Sequence, residues 1–180
     1  MRDRSVLVTG AGSGIGRAVS LACARRGANL AVLDIDGDAA EVVARESEAV
    51  GAPRAVGIAC DVAAEDSVRS AFDAAAQAIG IPGATFANAG IEIDGPLHEF
   101  ELESWRRVLD VNLVGAFLTC REAVRRLVET ASGGSIVCTS SPSAFVGFAG
   151  GGTAPTRRPR AASRPSCGRR RSTTLPTASG

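Results

Sequence analysis

Apolar runs of strand length alternate along this chain with longer stretches whose apolar residues recur at helical spacing. Ser5–Thr9 (SVLVT), Leu30–Asp34 (LAVLD), Arg54–Ala59 (RAVGIA), Ala84–Gly90 (ATFANAG) and Gly134–Ser141 (GSIVCTSS) read as five strands. Between them, Gly14–Arg26 is helical and Gly27 stops it. Asp38 is placed to cap a helix running to about Val50. Glu65–Ile79 carries Val68, Phe72, Ala75, Ala76 and Ile79 on one helical face, and Ser104–Leu109 and Asn112–Thr130 follow as two more helices. Strands that are apolar at consecutive positions are buried on both faces. Their alternation with helices therefore predicts an α/β domain: a doubly wound parallel sheet in three α/β/α layers. Ligands of such sheets sit beyond the carboxyl ends of the strands. The polar and glycine-rich residues collect there, at Gly10–Gly16, Asp34, Asp61, Asn88–Gly90 and Thr139–Ser141.

Composition adds limits. The chain has 180 residues, enough for one domain with a real core. Its net charge of +1 is unevenly spread: residues 1–150 hold all 19 acids, whereas residues 151–180 hold seven Arg and no acid. Five cysteines (Cys23, Cys60, Cys120, Cys138, Cys167) without a CxxC pair, and a single histidine, His98, supply no credible metal site. Reduced thiols in a cytoplasmic protein are the simpler reading. No segment resembles a signal peptide or reaches the length of a membrane span.

The turn Thr9-Gly10-Ala11-Gly12-Ser13-Gly14-Ile15-Gly16 lies between a strand and a helix. Glycines there permit a tight turn and close backbone approach to a pyrophosphate, and the helix that follows directs free N–H groups and its positive dipole end at the anion. Asp34 ends the next strand, twenty residues after Gly14. A carboxylate at that place accepts hydrogen bonds from ribose hydroxyls and repels a 2′-phosphate, so NAD is favoured over NADP. The plainer alternative is that Asp34 only caps the strand end.

Taken together, these residues resemble the short-chain dehydrogenase/reductase family, whose fold is of the Rossmann type, over residues 5 to about 153. Thr9-Gly10-x-x-x-Gly14-x-Gly16 is similar to its cofactor turn, which includes Gly12, Ser13 and Ile15 here. "CDV" (Cys60–Val62) resembles the adenine-contacting segment and implies roles for Asp61 and Val62. "NAG" (Asn88, Ala89, Gly90) resembles the motif that steadies the sheet beside the nicotinamide ribose. "WRRVLDVNLVGAF" and "GSIVCTSS" imply catalytic roles for Asn112 and Ser141. The resemblance implies hydride transfer between a nicotinamide and a secondary alcohol or ketone, with a homodimer or homotetramer as the usual assembly.

The family's reaction also uses a Tyr and a Lys in a YxxxK motif. The Tyr moves the hydroxyl proton, and the nearby cation lowers its pKa. This chain has no Tyr and no Lys anywhere; all 20 basic residues are Arg. His98 is a candidate base by residue type, but "GPLHEF" reads as a surface loop. Ile91, Glu92, Ser143 and Phe145 are candidates for the substrate pocket.

The genetic code offers a reason for the missing pair. A shifted frame permits a Tyr triplet across Pro155–Thr156 and a Lys triplet across Pro159–Arg160, four codons later, in a run resembling the family's catalytic helix. The expectation is a frame change, or a sequencing error, near Thr153–Pro155, with the C-terminal part of the fold missing. On this reading residues 1–153 form an incomplete dinucleotide-binding domain. Residues 154–180, with Leu175 the one large aliphatic, form a disordered Arg/Pro-rich tail. The loss argues against the family's assembly. It leaves two further readings open: a non-catalytic NAD-binding fragment, and an Arg-rich arm that holds nucleic acid through phosphates, which is not favoured. A shared substrate class, small alcohols or ketones, and the absence of a membrane or nucleic-acid partner complete the expectation.

Overall fold

The computed structural model describes residues 4–141. Five strands form one sheet: β1 (Ser5–Thr9), β2 (Asn29–Asp34), β3 (Ala55–Ala59), β4 (Ala84–Ala87) and β5 (Ser135–Cys138). Their order is β3-β2-β1-β4-β5, and every pairing is parallel. The helices are α1 (Gly14–Ala24), α2 (Gly37–Ala49), α3 (Glu65–Ile79), α4 (Leu102–Leu109) and α5 (Gly115–Glu129), with a short 3-10 turn at Leu97–Glu99.

Alternation along β1 divides the core between two faces. Val6 and Val8 point to one side and pack with Leu30, Val32, Ala24, Ala40, Val43 and Ala44 beneath α1 and α2. Leu7 points to the other and packs with Ala31, Leu33, Val68, Phe72, Ala75 and Leu118 beneath α3 and α5. Three layers result, as the sequence predicts. The chain winds outward from β1 to β3, then crosses back through α3 to β4 on β1's other side. That reversal opens a crevice beside the carboxyl end of β1.

Small residues set how closely the layers approach. A Cβ on Gly57 of β3 would lie 2.4 Å from the Glu41 N and Cα atoms, so α2 rests against bare backbone there. Similarly, a Cβ on Gly115 would lie 2.7 Å from Val62 Cγ2.

Several boundaries differ from the sequence reading. α1 stops at Ala24, and Gly27 turns the chain at φ +76°. The cap of α2 is Asp36, not Asp38. Asp36 has extended dihedrals (φ −87°, ψ 98°) that aim its carboxylate back at the Ala39 N–H, 3.0 Å away, whereas Asp38 already lies inside the first turn. There it still favours the positive end of the helix dipole. Asp36→Ala is expected to cost about 1 kcal/mol, read as a lower urea midpoint with an unchanged slope.

The predicted gap between the helices at Leu109 and Asn112 is also absent. One π-helical turn, Asp110–Val114, joins α4 to α5 without a break. β4 ends at Ala87 and β5 at Cys138, before the polar residues that follow them, whose side chains bond between neighbouring strand ends. Among the described residues β5 is an edge strand, and Val137 (56%), Phe117 (57%), Val124 (49%) and Val128 (73%) are exposed. No described helix is long and apolar enough to cross a membrane.

Candidate cofactor crevice

The crevice encloses about 950 Å³. Its wall includes Gly10, Ser13, Gly14 and Ile15 from the first turn, Asp34 from β2, Asp61 and Val62 after β3, Asn88, Ala89 and Gly90 after β4, and Thr139 after β5. Five separate segments thus converge, as the strand-end rule requires.

A hydrogen-bonded frame holds these segments in place. Thr9 Oγ1, buried at the end of β1, accepts from the Asn88 N–H at 3.0 Å and the Ala89 N–H at 3.1 Å. The Asn88 amide returns two bonds, donating from Nδ2 to the Thr9 and Gly10 carbonyls, each at 3.1 Å. Its Oδ1 accepts from the Thr139 hydroxyl at 2.9 Å. One side chain therefore joins the ends of β1, β4 and β5. Thr9, Gly12 and Gly16 serve behind the wall. Gly16 is buried, and a Cβ there would fall 2.2 Å from the Gly10 carbonyl oxygen.

The head of α1 is chemically bare on its crevice side. Ser13 makes no side-chain capping bond, and no acid lies in the first turn. Gly14 has φ +53°, and a Cβ added to it would meet nothing within 4 Å. Open space, uncovered helix N–H groups and a positive dipole end suit an anion such as a pyrophosphate.

Asp34 faces the same space. Its Oδ2 accepts from the Gly12 N–H at 2.8 Å and its Oδ1 from the Asp36 N–H at 3.1 Å, so the carboxylate is fixed in direction. Each oxygen keeps a further lone pair for a ligand hydroxyl. Asp61 is pinned in the same manner, with Oδ1 accepting from the Ala63 N–H at 2.9 Å.

Asn112 sits in the π turn, and its amide clamps the Ile91 backbone. Oδ1 accepts from the Ile91 N–H at 2.8 Å, while Nδ2 donates to the Ile91 carbonyl at 2.9 Å. Ile91 itself lines the crevice. Ser141 is the last described residue, two past Thr139. Glu92 is exposed and is not among the lining residues, and His98 is exposed beside Glu99, 3.3 Å from its carboxylate. Ser143, Phe145, Thr153–Pro155, Pro159–Arg160, Cys167 and the tail lie outside the described residues.

Sequence reading missed one wall. Glu103, Arg106, Arg107 and Asp110 reach the crevice from α4 and the π turn. Their spacing of three, four and seven is a polar helical stripe, which ordinarily reads as a solvated face. Only the fold turns that stripe toward the crevice.

Cys60 is also in the wall. Burial pushes its thiol from 9.0 up to about 11. A folded-state pKa raised above the unfolded value leaves the full stability contribution in place below pH 9.0, and that contribution fades as pH climbs through about 11. Stability is therefore expected to drop between these values, and Cys60→Ala to flatten the drop, as measured by urea unfolding across pH 8–12.

Fold and crevice together define an open, doubly wound α/β protein with a crevice at the point where strand order reverses. Residues 4–153 match the family model described as short chain dehydrogenase. The chain belongs to that family, a family of oxidoreductases.

D-threitol dehydrogenase of Mycolicibacterium smegmatis is 40% identical over 142 residues, covering 78% of this chain and 53% of that protein. A short-chain type dehydrogenase/reductase from Mycobacterium marinum superposes with a TM-score of 0.85 at 35% identity, covering 89% of this chain and 65% of the other. NAD⁺-bound xylitol dehydrogenase superposes at 0.82 with 28% identity, covering 89% and 61%. The chain spans about half the length of the curated relatives it matches.

Proposed function

We propose that this chain binds NAD, in preference to NADP, in the crevice at the head of α1. In the complete family reaction, a nicotinamide held there would supply the hydride acceptor or donor for a small secondary alcohol or ketone. The observation that carries the reading is the fixed Asp34 carboxylate facing the uncapped start of α1 across the glycine turn.

Each of the chain's groups has a separate task. The α1 N–H groups neutralise the diphosphate, and Gly14 leaves room for it. Asp34 accepts from the adenosine ribose and disfavours a phosphate there by like-charge repulsion. Asp61 and Val62 border the adenine, and Asn88–Gly90 hold the nicotinamide end. Ser141 and Asn112 take the polar roles beside the substrate, Ser141 by hydrogen-bonding its oxygen and Asn112 by fixing the backbone at Ile91. The kinship with polyol-named relatives supports a small alcohol as the substrate class.

Proton transfer is where this chain falls short. With neither Tyr nor Lys in its 180 residues, it lacks the pair that moves the hydroxyl proton in the family's reaction, and neither serine, too weak a base, nor arginine, which holds its proton, replaces that pair. The chain as it stands is therefore a cofactor-binding member that does not turn over.

Titration followed by Trp105 fluorescence tests the binding half. NAD is expected to quench or enhance the signal with an affinity at least about tenfold above that of NADP, and Asp34→Asn to narrow the gap. Folded protein that ignores millimolar NAD would overturn the proposal. Absorbance at 340 nm with NAD and a panel of secondary alcohols tests the other half, and steady NADH production would refute the claim of lost turnover.

A further inference from the structure

Away from the crevice wall, two thiols meet between a helix and the sheet edge. Cys120 of α5 and Cys138, the last residue of β5, place their sulfurs 3.5 Å apart. Eighteen residues separate them, so the fold and not chain proximity brings them together. Cys120 is half-buried and Cys138 is exposed, whereas Cys60 is buried and Cys23 partly so. No group in the proposed NAD site uses either sulfur.

We propose that Cys120 and Cys138 are an oxidation site that closes a disulfide between α5 and β5 when the protein meets a hydroperoxide. The exposed Cys138 thiolate attacks the peroxide O–O bond. It becomes a sulfenic acid and, with one proton taken up, releases one water. The Cys120 sulfur then attacks the oxidised sulfur, and its proton leaves with the hydroxyl as a second water. Two thiols lose two electrons and two protons in total, and one hydrogen peroxide becomes two waters.

Several observations support this order of events. Oxidant reaches Cys138 first because it is the more exposed residue of the pair. Burial, reinforced by the neighbouring thiol, pushes Cys120 from 9.0 up to about 11, which makes it the less reactive sulfur toward peroxide, and its place 3.5 Å from Cys138 makes it the second partner. The sulfurs must still close from 3.5 Å to about 2.0 Å. β5 can yield that distance, because among the described residues it is held on one side only, by β4. The link would fix the strand directly before Thr139, whose hydroxyl bonds Asn88. The inference is independent of the NAD reading, since it requires no ligand.

The test uses the full chain, reduced and then exposed to hydrogen peroxide, trapped with N-ethylmaleimide and cut at arginine. Cys120 falls in the fragment 108–121 and Cys138 in the fragment 127–157, each with no other cysteine. The expected product joins these two fragments with the loss of two hydrogens. Its yield should exceed any other cysteine pairing by about tenfold in folded protein, and fall toward the statistical level when guanidinium is present during oxidation. Cys120→Ser and Cys138→Ser should each abolish it. Recovery of both fragments as maleimide adducts overturns the proposal. So does a dominant link from Cys138 to Cys167, or to Cys138 of a second copy. The native-against-denatured comparison on the unaltered chain decides the matter even if a serine variant fails to fold.

Discussion

Gly16→Ala is expected to lower the stability of the domain by about 3 kcal/mol, at the upper end of what overpacking costs. The added methyl would sit 2.2 Å from the Gly10 carbonyl oxygen, 2.8 Å from Ala11 Cα and 2.8 Å from Asn88 Nδ2. The first two atoms are backbone in the turn that leaves β1, and the third is held by two hydrogen bonds to that same turn. None is the free end of a flexible chain, so relief requires α1 to move off the sheet. Such a shift also breaks the frame around the crevice. Two other glycines serve as controls. Gly133→Ala meets nothing within 4 Å and has no positive φ, so it should be close to neutral. Gly14→Ala also has open space, but its φ of +53° should cost about 1 kcal/mol. Urea midpoints for the three variants check the ranking. Gly16→Ala falling level with Gly133→Ala would show that the helix can yield.

Asn88→Ala is expected to cost roughly 2–4 kcal/mol, because three side-chain hydrogen bonds disappear and leave the Thr9 carbonyl, the Gly10 carbonyl and the Thr139 hydroxyl with lost partners. The loss is spread over β1, β4 and β5, so hydrogen exchange should quicken at the ends of all three strands and not only locally. Asn88→Asp separates shape from chemistry. It keeps an acceptor for Thr139 but directs a carboxylate at two carbonyl oxygens. Repulsion then raises that carboxyl's pKa in the folded state, so the charged form is the destabilising one. Stability should recover as pH falls through that raised value, the reverse of the ordinary paired carboxylate. A flat pH profile for Asn88→Asp between pH 4 and 8 would contradict the network as described. Thr139→Val removes one bond of the three and should cost about 1 kcal/mol.

Much of this protein was legible in its residues. Consecutive apolar positions in SVLVT and LAVLD require burial on both faces, and with helical periods between them a layered parallel sheet follows. That Gly10, Gly14 and Asp34 gather at one crevice was legible too, since they stand at the ends of successive strands of a parallel sheet. What reading missed was local reach. Asp36 and Asp38 are equally good capping residues by type, and only the dihedrals at Asp36 select it. The π turn at Asp110–Val114 leaves no compositional mark, yet it sets where the Asn112 amide meets Ile91.

The sequence by itself determined the layered fold, the glycine turn at the head of α1, the acid at the end of β2, and the lack of any Tyr or Lys to move a proton. These follow from short-range pattern and from residue identity, which need no knowledge of what lies across the molecule. Only the tertiary structure decided that Asn88 ties three strands, that the stripe from Glu103 on α4 to Asp110 in the π turn walls the crevice, and that Cys120 meets Cys138. Each depends on residues on different elements, brought together by crossovers whose final packing no local period encodes.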